Sequence, residues 1–323
     1  MEQPKHIFIV NPAAGARDRT TEIAGAIKAL SRKRPMEYEI YITEYPRHAI
    51  ALVEQAAERF AGRPLRFYAC GGDGTLKEVA EGVSHVPNAS FTHYPSGTGN
   101  DYVKLFGDAQ RQFLNLEALC AGETIEVDYI ESDCGIALNI LSVGLDARIA
   151  HGMQKFKRAP LMRGQWPYLA STVEQVARGI ARPYGVEIDG VSCDGKYTLM
   201  LIGNGRHYGG GFCPVPEADI TDGKLNVLLV SAVSRLTVAK VFEIYKQGRH
   251  AELPQYIKAM EAREITIFSQ NDAAMEINLD GEIVLSSRIK MRIAPQKLGL
   301  IVPRGVRPVG ACKNAEAREA ALV

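Results

Sequence analysis

The stretch Gly71-Gly72-Asp73-Gly74-Thr75 decides the fold of this chain. An apolar and aromatic run of strand length precedes it at residues 65–70, and apolar residues at 76, 79, 80 and 83 follow it with the spacing of one helix face. The pattern predicts a strand, a glycine turn and a helix. Glycines let a ligand approach the backbone closely, and the first N–H groups of a helix favour an anion such as phosphate. A simple turn, in which Asp73 or Thr75 caps the helix, is the alternative.

Two common nucleotide-binding signatures do not occur in the sequence. There is no G-x-x-x-x-G-K-[ST], and no G-x-G-x-x-G opens a helix after a strand. A phosphate bound at the glycine turn would therefore be held in another way.

Strands and helices alternate through the first hundred residues. Strands are predicted at 7–10, 38–42 and 91–94, and helices through 23–30 and 49–60. This alternation predicts a parallel sheet with helices on both faces, in which ligands bind beyond the carboxyl ends of the strands. Small-residue loops follow three of these strands, which favours nucleotide binding: Asn11-Pro12-Ala13-Ala14-Gly15, the Gly71 turn, and Pro95-Ser96-Gly97-Thr98-Gly99-Asn100-Asp101.

The pattern changes near residue 123, after which strand-like runs dominate. They lie at 125–130, 135–143, 184–188, 198–202, 225–230, 265–268, 275–279 and 289–293. Two helical patterns interrupt them, through residues 169–180 and 236–245. An antiparallel, β-rich second domain with its sheets packed as a sandwich is predicted.

A basic and apolar segment lies between two of these strands, at residues 151–167. It is either a solvated loop or a segment that docks on an anionic membrane surface. Its basic residues are Lys155, Lys157, Arg158 and Arg163, and its large apolar residues include Phe156, Met162 and Trp166.

Length and composition limit the classes of function. A chain of 323 residues predicts two domains. Its 38 Lys and Arg nearly balance 37 Asp and Glu, which argues against a nucleic-acid partner. Six cysteines without C-x-x-C spacing argue against a zinc site or a disulfide framework and favour a reducing compartment. With no signal peptide pattern and no apolar run of about 20 residues, we expect a cytoplasmic protein, peripheral at the inner membrane surface.

Five motifs in order carry a resemblance to a known family. They are Asn11-Pro12-x-x-Gly15, Gly71-Gly72-Asp73-Gly74-Thr75, Pro95-x-Gly97-Thr98-x-Asn100-Asp101, Asp222-Gly223 and Asp280-Gly281-Glu282. In this order they resemble the diacylglycerol kinase and sphingosine kinase superfamily of lipid kinases, and most of all the soluble bacterial diacylglycerol kinases. The resemblance implies a nucleotide-binding α/β domain at 1–123 and a β-sandwich lipid-binding domain at 124–295. It also implies that the last segment, about 296–323, returns to the first domain.

The resemblance implies ATP as phosphoryl donor and Mg²⁺ as metal. Asp73, Asp101 and Asp128 would form an acidic group that holds the Mg²⁺ of the active site largely through water. Taken alone, Asp101 is a helix N-cap and Asp128 a surface strand residue. The residues implied to hold ATP are Asn11, Pro12, Ala13, Ala14, Gly15, Thr43, Gly71, Gly72, Gly74, Thr75, Leu76, Lys77, Glu78, Gly97, Thr98 and Asn100.

Two further motifs receive roles from the resemblance. Asp219, Asp222 and the carbonyl of Lys224 match a second, structural Mg²⁺ site, which is compatible with a type I turn at 222–223. Glu282 matches the general base that takes the proton from a lipid's primary hydroxyl, and Asp73 is the other catalytic residue implied. By itself, the Asp280-Gly281 pair predicts a hairpin turn.

One departure from the pattern concerns the first loop. Many relatives have a lysine or serine there, whereas this chain has Ala13 and Ala14. Phosphate contact in this loop would come from backbone N–H groups or from Arg17. There is also no cysteine-rich lipid-recruitment module, so membrane access must come from the catalytic unit itself.

Several functions remain open at this point. Diacylglycerol is the expected acceptor, with a sphingoid base, phosphatidylglycerol or another lipid alcohol as the next alternative. An NAD kinase shares the Gly-Gly-Asp-Gly-Thr motif, and a non-catalytic nucleotide- or lipid-binding regulator would need neither Asp73 nor Glu282. The expected partner is a lipid substrate at a membrane surface, and a homodimer is left open.

Overall fold

The computed structural model describes residues 3–157 and 166–310. In chain order, its strands are β1 Lys5–Val10, β2 Tyr38–Ile42, β3 Leu65–Gly71, β4 Ala89–Pro95, β5 Glu123–Val127, β6 Ile130–Ser132, β7 Gly135–Ala137, β8 Ile140–Gly144, β9 Arg182–Ile188, β10 Val191–Ser192, β11 Gly195–Gly203, β12 Leu225–Ser231, β13 Ile257–Ala262, β14 Glu264–Ser269, β15 Met275–Leu279, β16 Glu282–Ser286, β17 Arg288–Ile293 and β18 Leu298–Val302. Its helices are α1 Thr20–Lys33, α2 His48–Arg59, α3 Asp73–Val83, α4 Leu116–Cys120, α5 Leu145–Lys157, α6 Trp166–Arg178 and α7 Val238–Lys246, with 3-10 segments at Tyr102–Leu114 and His250–Glu252.

The chain forms two compact units. The first contains the chain up to Asp128, together with Gly209–Gly211 and Pro295–Val309. The second contains Tyr129–Tyr208 and Phe212–Ala294. None of the helices in the described part of the chain is long and apolar enough to cross a bilayer.

A six-stranded sheet organises the first unit, in the order β2-β1-β3-β4-β18-β5. All its neighbouring strands are parallel except β5, which pairs antiparallel with β18. Residues 7–10 of β1 are buried, as their apolar run predicts, and the polar Lys5 and His6 before them are buried as well. Helices α2 and α3 pack so closely that a Cβ at Gly82 would lie 2.8 Å from Cβ of Val53. The predicted parallel α/β domain and the return of the last segment, as β18, are confirmed.

The strand-like run at 125–130 belongs to both units, which the sequence pattern did not predict. Its first part, β5, pairs with β18 in the first sheet, and its last residue begins β6 in the second. An apolar alternation shows that a segment is extended but carries no information on its partner strand. The first compact unit therefore includes β5 and continues to Asp128.

The register places the predicted loops at one edge of the first sheet. Val10 pairs with Cys70, and Gly71 pairs with Pro95, so the chain leaves β1, β3 and β4 at the same level. Val10 also pairs with Ile42, which brings Thr43 to this carboxyl edge. Since ligands bind beyond the carboxyl ends of parallel strands, this edge is where a site is expected.

A single antiparallel sheet of twelve strands forms the second unit. One apolar cluster contains residues from strands at both ends of its path, such as Ala137 of β7 and Ile277 of β15. The sheet thus folds over its own core and encloses it as the predicted sandwich does, although its hydrogen bonding is continuous. Burial of each large apolar side chain in such a core contributes about 1.5–3 kcal/mol.

Helices α5 and α6 pair on the outside of this sheet. The Ser171 hydroxyl donates to the carbonyl of Ile149 at 2.7 Å, and the buried Arg148 donates to the carbonyls of Gly179 and Ile180. Helix α5 replaces the beginning of the segment predicted as a connection at 151–167. Arg158, Met162 and Arg163 of that segment lie outside the described residues, as does the tail from residue 314.

The apolar pattern of α6 is only partly explained by burial. Val176 packs against the α5 cluster, as predicted. Leu169 and Val173, however, are 51% and 63% exposed, and Trp166 on the same helix is 64% exposed. The face that contacts α5 also contains polar side chains, since Ser171 and Gln175 are buried. Periodicity identified the helix correctly and assigned part of its apolar stripe to the wrong environment.

Candidate functional site

Three loops interlock at the carboxyl edge of the first sheet. The Asn11 amide donates to the Thr75 hydroxyl at 2.9 Å, and its Oδ1 accepts from the N–H of Ala13 at 2.9 Å. The N–H of Ser96 donates to the carbonyl of Gly71 at 2.8 Å. The first, second and third predicted loops are thereby joined directly to one another.

Glycine is required where these loops touch. A Cβ at Gly97 would lie 2.5 Å from Cα of Gly72, and one at Gly15 would lie 2.4 Å from the carbonyl oxygen of Ser96. Gly15 also has φ of +80°, in the region that favours glycine. The loops therefore approach each other through bare backbone, and this leaves a floor of main-chain atoms.

Helix α3 begins at this floor without a side-chain cap. Gly72 is its N-cap, and the N–H of Leu76 makes the first helical hydrogen bond, to the carbonyl of Gly72. The cap by Asp73 or Thr75 that the simple-turn alternative requires is not formed. Gly74 is exposed, and a Cβ there would meet nothing within 4 Å. The start of α3 thus presents N–H groups beside open space, an arrangement suited to an anion.

Four of the residues implied to hold ATP have buried or structurally engaged side chains. Leu76 and Lys77 are almost completely buried. The Glu78 carboxylate accepts from the N–H groups of Arg47 and Ala49, at 3.0 and 3.2 Å, and so caps α2. Thr43 is buried and donates its N–H to the carbonyl of Val10. At these four positions, a nucleotide could therefore contact only backbone groups exposed at the start of α3 and at the end of β2.

The rim of the loops contains the exposed members of the predicted set. Thr98 is exposed, and Asn100 braces the turn before it, because its Oδ1 accepts from Gly97 N–H and its amide donates to Gly97 O. Arg17, the cation considered for the first loop, is largely exposed and pairs with Glu22 at 3.2 Å.

Two of the predicted metal carboxylates converge. Oδ2 of Asp73 and Oδ2 of Asp101 lie 2.9 and 3.6 Å from the position that a Cβ of Gly99 would occupy. Oδ1 of Asp73 accepts from the N–H of Tyr102 at 3.3 Å. A pair of carboxylates facing one small space fits Mg²⁺, which takes few carboxylates and keeps several waters.

Asp128 does not join this pair. It follows Val127, which pairs with Leu298 at the beginning of β18, whereas Asp73 follows the end of β3. The two positions are separated by the length of β3, roughly 20 Å at about 3.3 Å per residue. Asp128 is buried at the amino edge of the sheet and pairs with Lys297 at 3.0 Å. The strand register thus separates Asp128 from Asp73 and Asp101, and its role as a third metal carboxylate stays a prediction.

A buried histidine supports the glycine turn and was not predicted. His93 in β4 is fully buried, and its Nε2 lies 3.0 Å from the carbonyl oxygen of Gly71. Burial lowers the pKa of His93, while the negative charge of Asp73 acts in the opposite direction. His93 is thus a neutral donor beneath the turn. Its position between Thr92 and Tyr94 in a buried strand was the available sequence signal.

Asp101 has two further partners that sequence reasoning missed. Oδ1 of Asp101 lies 2.5 Å from Lys104 Nζ, and Oδ2 accepts from the N–H of Gly210 at 2.8 Å. Gly210 belongs to a run of three glycines, Gly209–Gly211, which all have positive φ. The run was visible in the sequence, but nothing local indicated its target.

Glu282 begins β16 in the second unit, directly after a two-residue turn. Leu279 pairs with Glu282, so Asp280 and Gly281 form the hairpin predicted from the pair alone, with φ of +50° and +95°. The Asp280 carboxylate accepts from the N–H groups of Leu138, Asn139 and Ile140. These contacts explain why the run at 135–143 splits into β7 and β8, and they hold the hairpin tip in place beside Glu282.

The predicted structural metal turn is also in the second unit. Oδ1 of Asp219 accepts from the N–H and hydroxyl of Thr221, and Oδ1 of Asp222 accepts from the N–H of Lys224. Within residues 3–157 and 166–310, no three or more His, Cys, Asp or Glu side chains group closely enough to hold a metal. The two carboxylates and the carbonyl of Lys224 remain a predicted oxygen ligand set of the kind Mg²⁺ accepts.

A small apolar cleft lies beside α5 and α7 in the second unit. One carboxyl group borders it, that of Asp146, whose pKa is raised to about 6 by burial. Hydrogen bonds from Ser142 and from the N–H of Ala147 partly oppose this shift. The apolar lining includes Leu145, Ile149, Leu199, Val238, Val241 and Phe242.

Comparisons with known proteins agree with this architecture. The family model described as "Diacylglycerol kinase catalytic domain" matches residues 5–132, and the model described as "YegS C-terminal NAD kinase beta sandwich-like domain" matches residues 139–302. A protein of Staphylococcus aureus strain JH9, named "Putative lipid kinase", is 28% identical over 232 residues, which make up 72% of this chain and 75% of that protein.

Solved structures share the fold over almost the whole chain. One, described as a "putative diacylglycerol kinase" from Bacillus anthracis strain Sterne, has a TM-score of 0.73 and 22% identity, and covers 94% of this chain and 96% of that chain. Another from the same strain has a TM-score of 0.71 and 22% identity, with coverage of 94% and 98%. With its two units matched in order by the catalytic and the YegS-type domain models, the chain belongs to the diacylglycerol kinase and YegS family of lipid kinases.

Proposed function

We propose that this chain is an ATP- and Mg²⁺-dependent lipid kinase that transfers the γ-phosphate to a primary hydroxyl, with diacylglycerol as first acceptor and phosphatidic acid as product. Membership of a kinase family implies ATP use. The observation that carries the proposal is the interlocked backbone floor at residues 11–15, 71–75 and 95–100, next to the paired carboxylates of Asp73 and Asp101.

The donor side uses backbone more than side chains. Ala13, Ala14, Gly72 and Gly74 offer no charged group, so phosphate oxygens are bound by N–H groups of the loops and of the start of α3. Thr98 at the rim and Thr43 at the end of β2 contact the rest of the nucleotide. Asp73 and Asp101 would hold Mg²⁺, which, when bound, neutralises charge on the phosphates.

On the acceptor side, Glu282 takes the proton of the lipid hydroxyl as that oxygen attacks the γ-phosphorus in line, and the bond between the γ-phosphorus and the bridging oxygen breaks to release ADP. Phosphoryl transfer asks little of the protein beyond placing the two reactants and neutralising charge, so no covalent enzyme intermediate is required. Asp280 keeps the hairpin tip fixed and so positions Glu282. Asp219, Asp222 and Lys224 would bind a second Mg²⁺ that stiffens their turn.

An apolar acceptor fits two features of the second unit. The cleft beside α5 and α7 offers apolar lining to an acyl chain. The exposed stripe of Trp166, Leu169 and Val173 on α6 could enter the boundary region of a bilayer. Lys155 and Arg178 on the two paired helices share the one carboxylate of Glu174 and stay largely exposed, so together they add a net positive charge that attracts anionic headgroups. The partner on this proposal is therefore a lipid at the surface of an anionic membrane.

Labelled ATP separates the alternatives in one assay. The protein is incubated with Mg²⁺, labelled ATP and either diacylglycerol, sphingosine, phosphatidylglycerol or NAD, and the labelled product is identified. Label in phosphatidic acid supports the proposal as stated, and label in another lipid phosphate changes only the acceptor. Label in NADP alone would identify an NAD kinase, and ATP binding with no labelled product would identify a non-catalytic regulator.

A further inference from the structure

Lys104 occupies a distinctive place beside the paired carboxylates. It lies three residues after Asp101, in the 3-10 segment Tyr102–Leu114, and its Nζ is 2.5 Å from Oδ1 of Asp101. The Asp101 side chain is 8% exposed, whereas that of Lys104 is 27% exposed. The Lys104 side chain is therefore more accessible to a ligand than the carboxylate with which it pairs.

Both oxygens of Asp101 are already engaged by the protein. Gly210 N–H occupies Oδ2, and Lys104 occupies Oδ1, while Nζ of Lys104 is also 3.9 Å from the Cβ position of Gly211. A divalent cation arriving near Oδ2 of Asp73 and Asp101 brings positive charge close to this ammonium group. Like charges repel, so the cation favours release of Lys104 from Asp101 toward any new anion nearby.

Three other cations near this edge have partners or positions away from the paired carboxylates. Arg17 and Arg19 both pair with Glu22, at 3.2 and 2.6 Å, and the side chain of Lys77 is buried. The first loop contributes no cation, since Ala13 and Ala14 stand there. A triphosphate over the backbone floor carries several negative charges, and Lys104 is placed to approach its terminal group from the side of Asp73 and Asp101.

We propose that Lys104 contacts the terminal phosphate of the bound nucleotide and exchanges Asp101 for that phosphate when Mg²⁺ and nucleotide bind. The inference rests on the proposed function, because it assumes that the three loops hold a triphosphate. It adds a phosphate-contacting residue whose charge stabilises the group being transferred. The competing explanation is structural: Lys104 only neutralises the nearly buried Asp101.

Nucleotide affinity tests the proposal without relying on turnover. Binding of Mg²⁺ with a non-hydrolysable ATP analogue, with ADP and with AMP is measured by calorimetry for the parent, Lys104→Ala and Lys104→Arg. We expect Lys104→Ala to raise the dissociation constant of the triphosphate analogue by about tenfold or more, because a charge-assisted contact is lost. The affinities for ADP and AMP should change less than threefold. Lys104→Arg should recover part of the lost affinity for the triphosphate analogue.

A matched control and a stability measurement complete the test. Lys290→Ala removes another exposed lysine that pairs with a carboxylate, Glu264 at 2.9 Å, and should leave all three affinities unchanged. Equal losses for all three nucleotides, with a lower melting temperature, would overturn the proposal in favour of the structural role, as would no loss at all. If the parent binds none of the nucleotides, the proposed function fails instead, and the two failures are thus distinguishable.

Discussion

The role of a single residue in this chain depends on the groups that it contacts in the fold. Many of these groups are distant in the sequence, so local sequence patterns do not reveal them. Asp280 is one example. The Asp-Gly pair predicts the hairpin, but the carboxylate accepts hydrogen bonds from three N–H groups about 140 positions earlier in the sequence, which the pair does not reveal. Asp128 illustrates the opposite case. Its motif match implied a metal ligand, while strand register places it at the other edge of the sheet.

Glu282 is predicted to act in transfer and not in nucleotide binding. Glu282→Gln removes the proton acceptor while keeping a side chain of similar size, so turnover should fall by about 10²–10⁴-fold with an unchanged ATP dissociation constant. Steady-state kinetics and calorimetry give the two quantities. Glu187→Gln, an exposed glutamate on β9, is the control and should leave both unchanged. Turnover within tenfold of the parent would remove Glu282 as the base.

Asp146 is predicted to reduce stability above about pH 6. Burial raises its pKa to about 6 from an ordinary 3.8, so the folded state binds this proton more tightly than the unfolded state does. The free energy of unfolding contributed by this group therefore falls as pH rises from about 4 to 6, by at most about 3 kcal/mol.

Asp146→Asn tests that sign. The variant keeps an oxygen for the N–H of Ala147 and carries no charge, so it should melt at a higher temperature than the parent at pH 8. The advantage should shrink toward pH 4, where the parent carboxyl is protonated. Thermal melts of both proteins across this range give the comparison, and a variant less stable than the parent at pH 8 would show that the ionised carboxylate is stabilising.

Secondary-structure elements were predicted well where their own residues determine them and less well where packing does. The helices α1, α2 and α3 and the strands β1, β3 and β4 follow from apolar spacing alone. Strand β5 was extended as predicted but paired in the first sheet. The segment Tyr102–Leu114 has 3-10 geometry and is interrupted at Gly107, which has φ of +53°.

Helix α6 is predicted to dock on membranes through its exposed apolar side chains. If its exposed stripe docks on membranes, Leu169→Ser together with Val173→Ser should weaken binding to vesicles that contain anionic phospholipid, by about tenfold, because apolar area no longer enters the interface. The melting temperature should stay nearly constant, since both side chains are mostly exposed. Sedimentation of protein with vesicles measures the effect.

A matched surface change keeps that test specific. Val191→Ser on β10 alters a side chain that is also 63% exposed but belongs to a different element. It should leave vesicle binding unaffected. Equal weakening by both changes would indicate a general effect of surface polarity and would contradict docking through α6.

At the scale of the whole molecule, sequence reasoning reached the two-unit architecture because five short motifs and the change from alternating to strand-rich patterns agree. The acceptor lipid did not follow, because the apolar cleft is lined by residues from α5, β11, β12 and α7, which no local pattern connects. The same limit applies to Gly209–Gly211, which returns to the first unit from a segment of the second.

Nucleotide binding should leave a footprint that follows sheet register rather than motif order. Hydrogen exchange with and without Mg²⁺ and a non-hydrolysable ATP analogue is predicted to slow at residues 11–15, 71–78 and 95–101, which share the carboxyl edge. Residues 123–128, which comprise β5 and Asp128, should exchange at unchanged rates, because Asp128 lies beside Lys297 at the opposite, amino edge of the sheet. Binding should also stabilise the whole protein. At a ligand concentration of about 100 times the dissociation constant, the free energy of unfolding should increase by about 2.7 kcal/mol, and the melting temperature should rise accordingly. Asp73→Asn serves as the reference, since loss of a metal carboxylate should diminish both effects in the presence of Mg²⁺. Protection at Asp128 equal to that at Gly72 would instead support Asp128 as a third metal carboxylate and contradict this footprint.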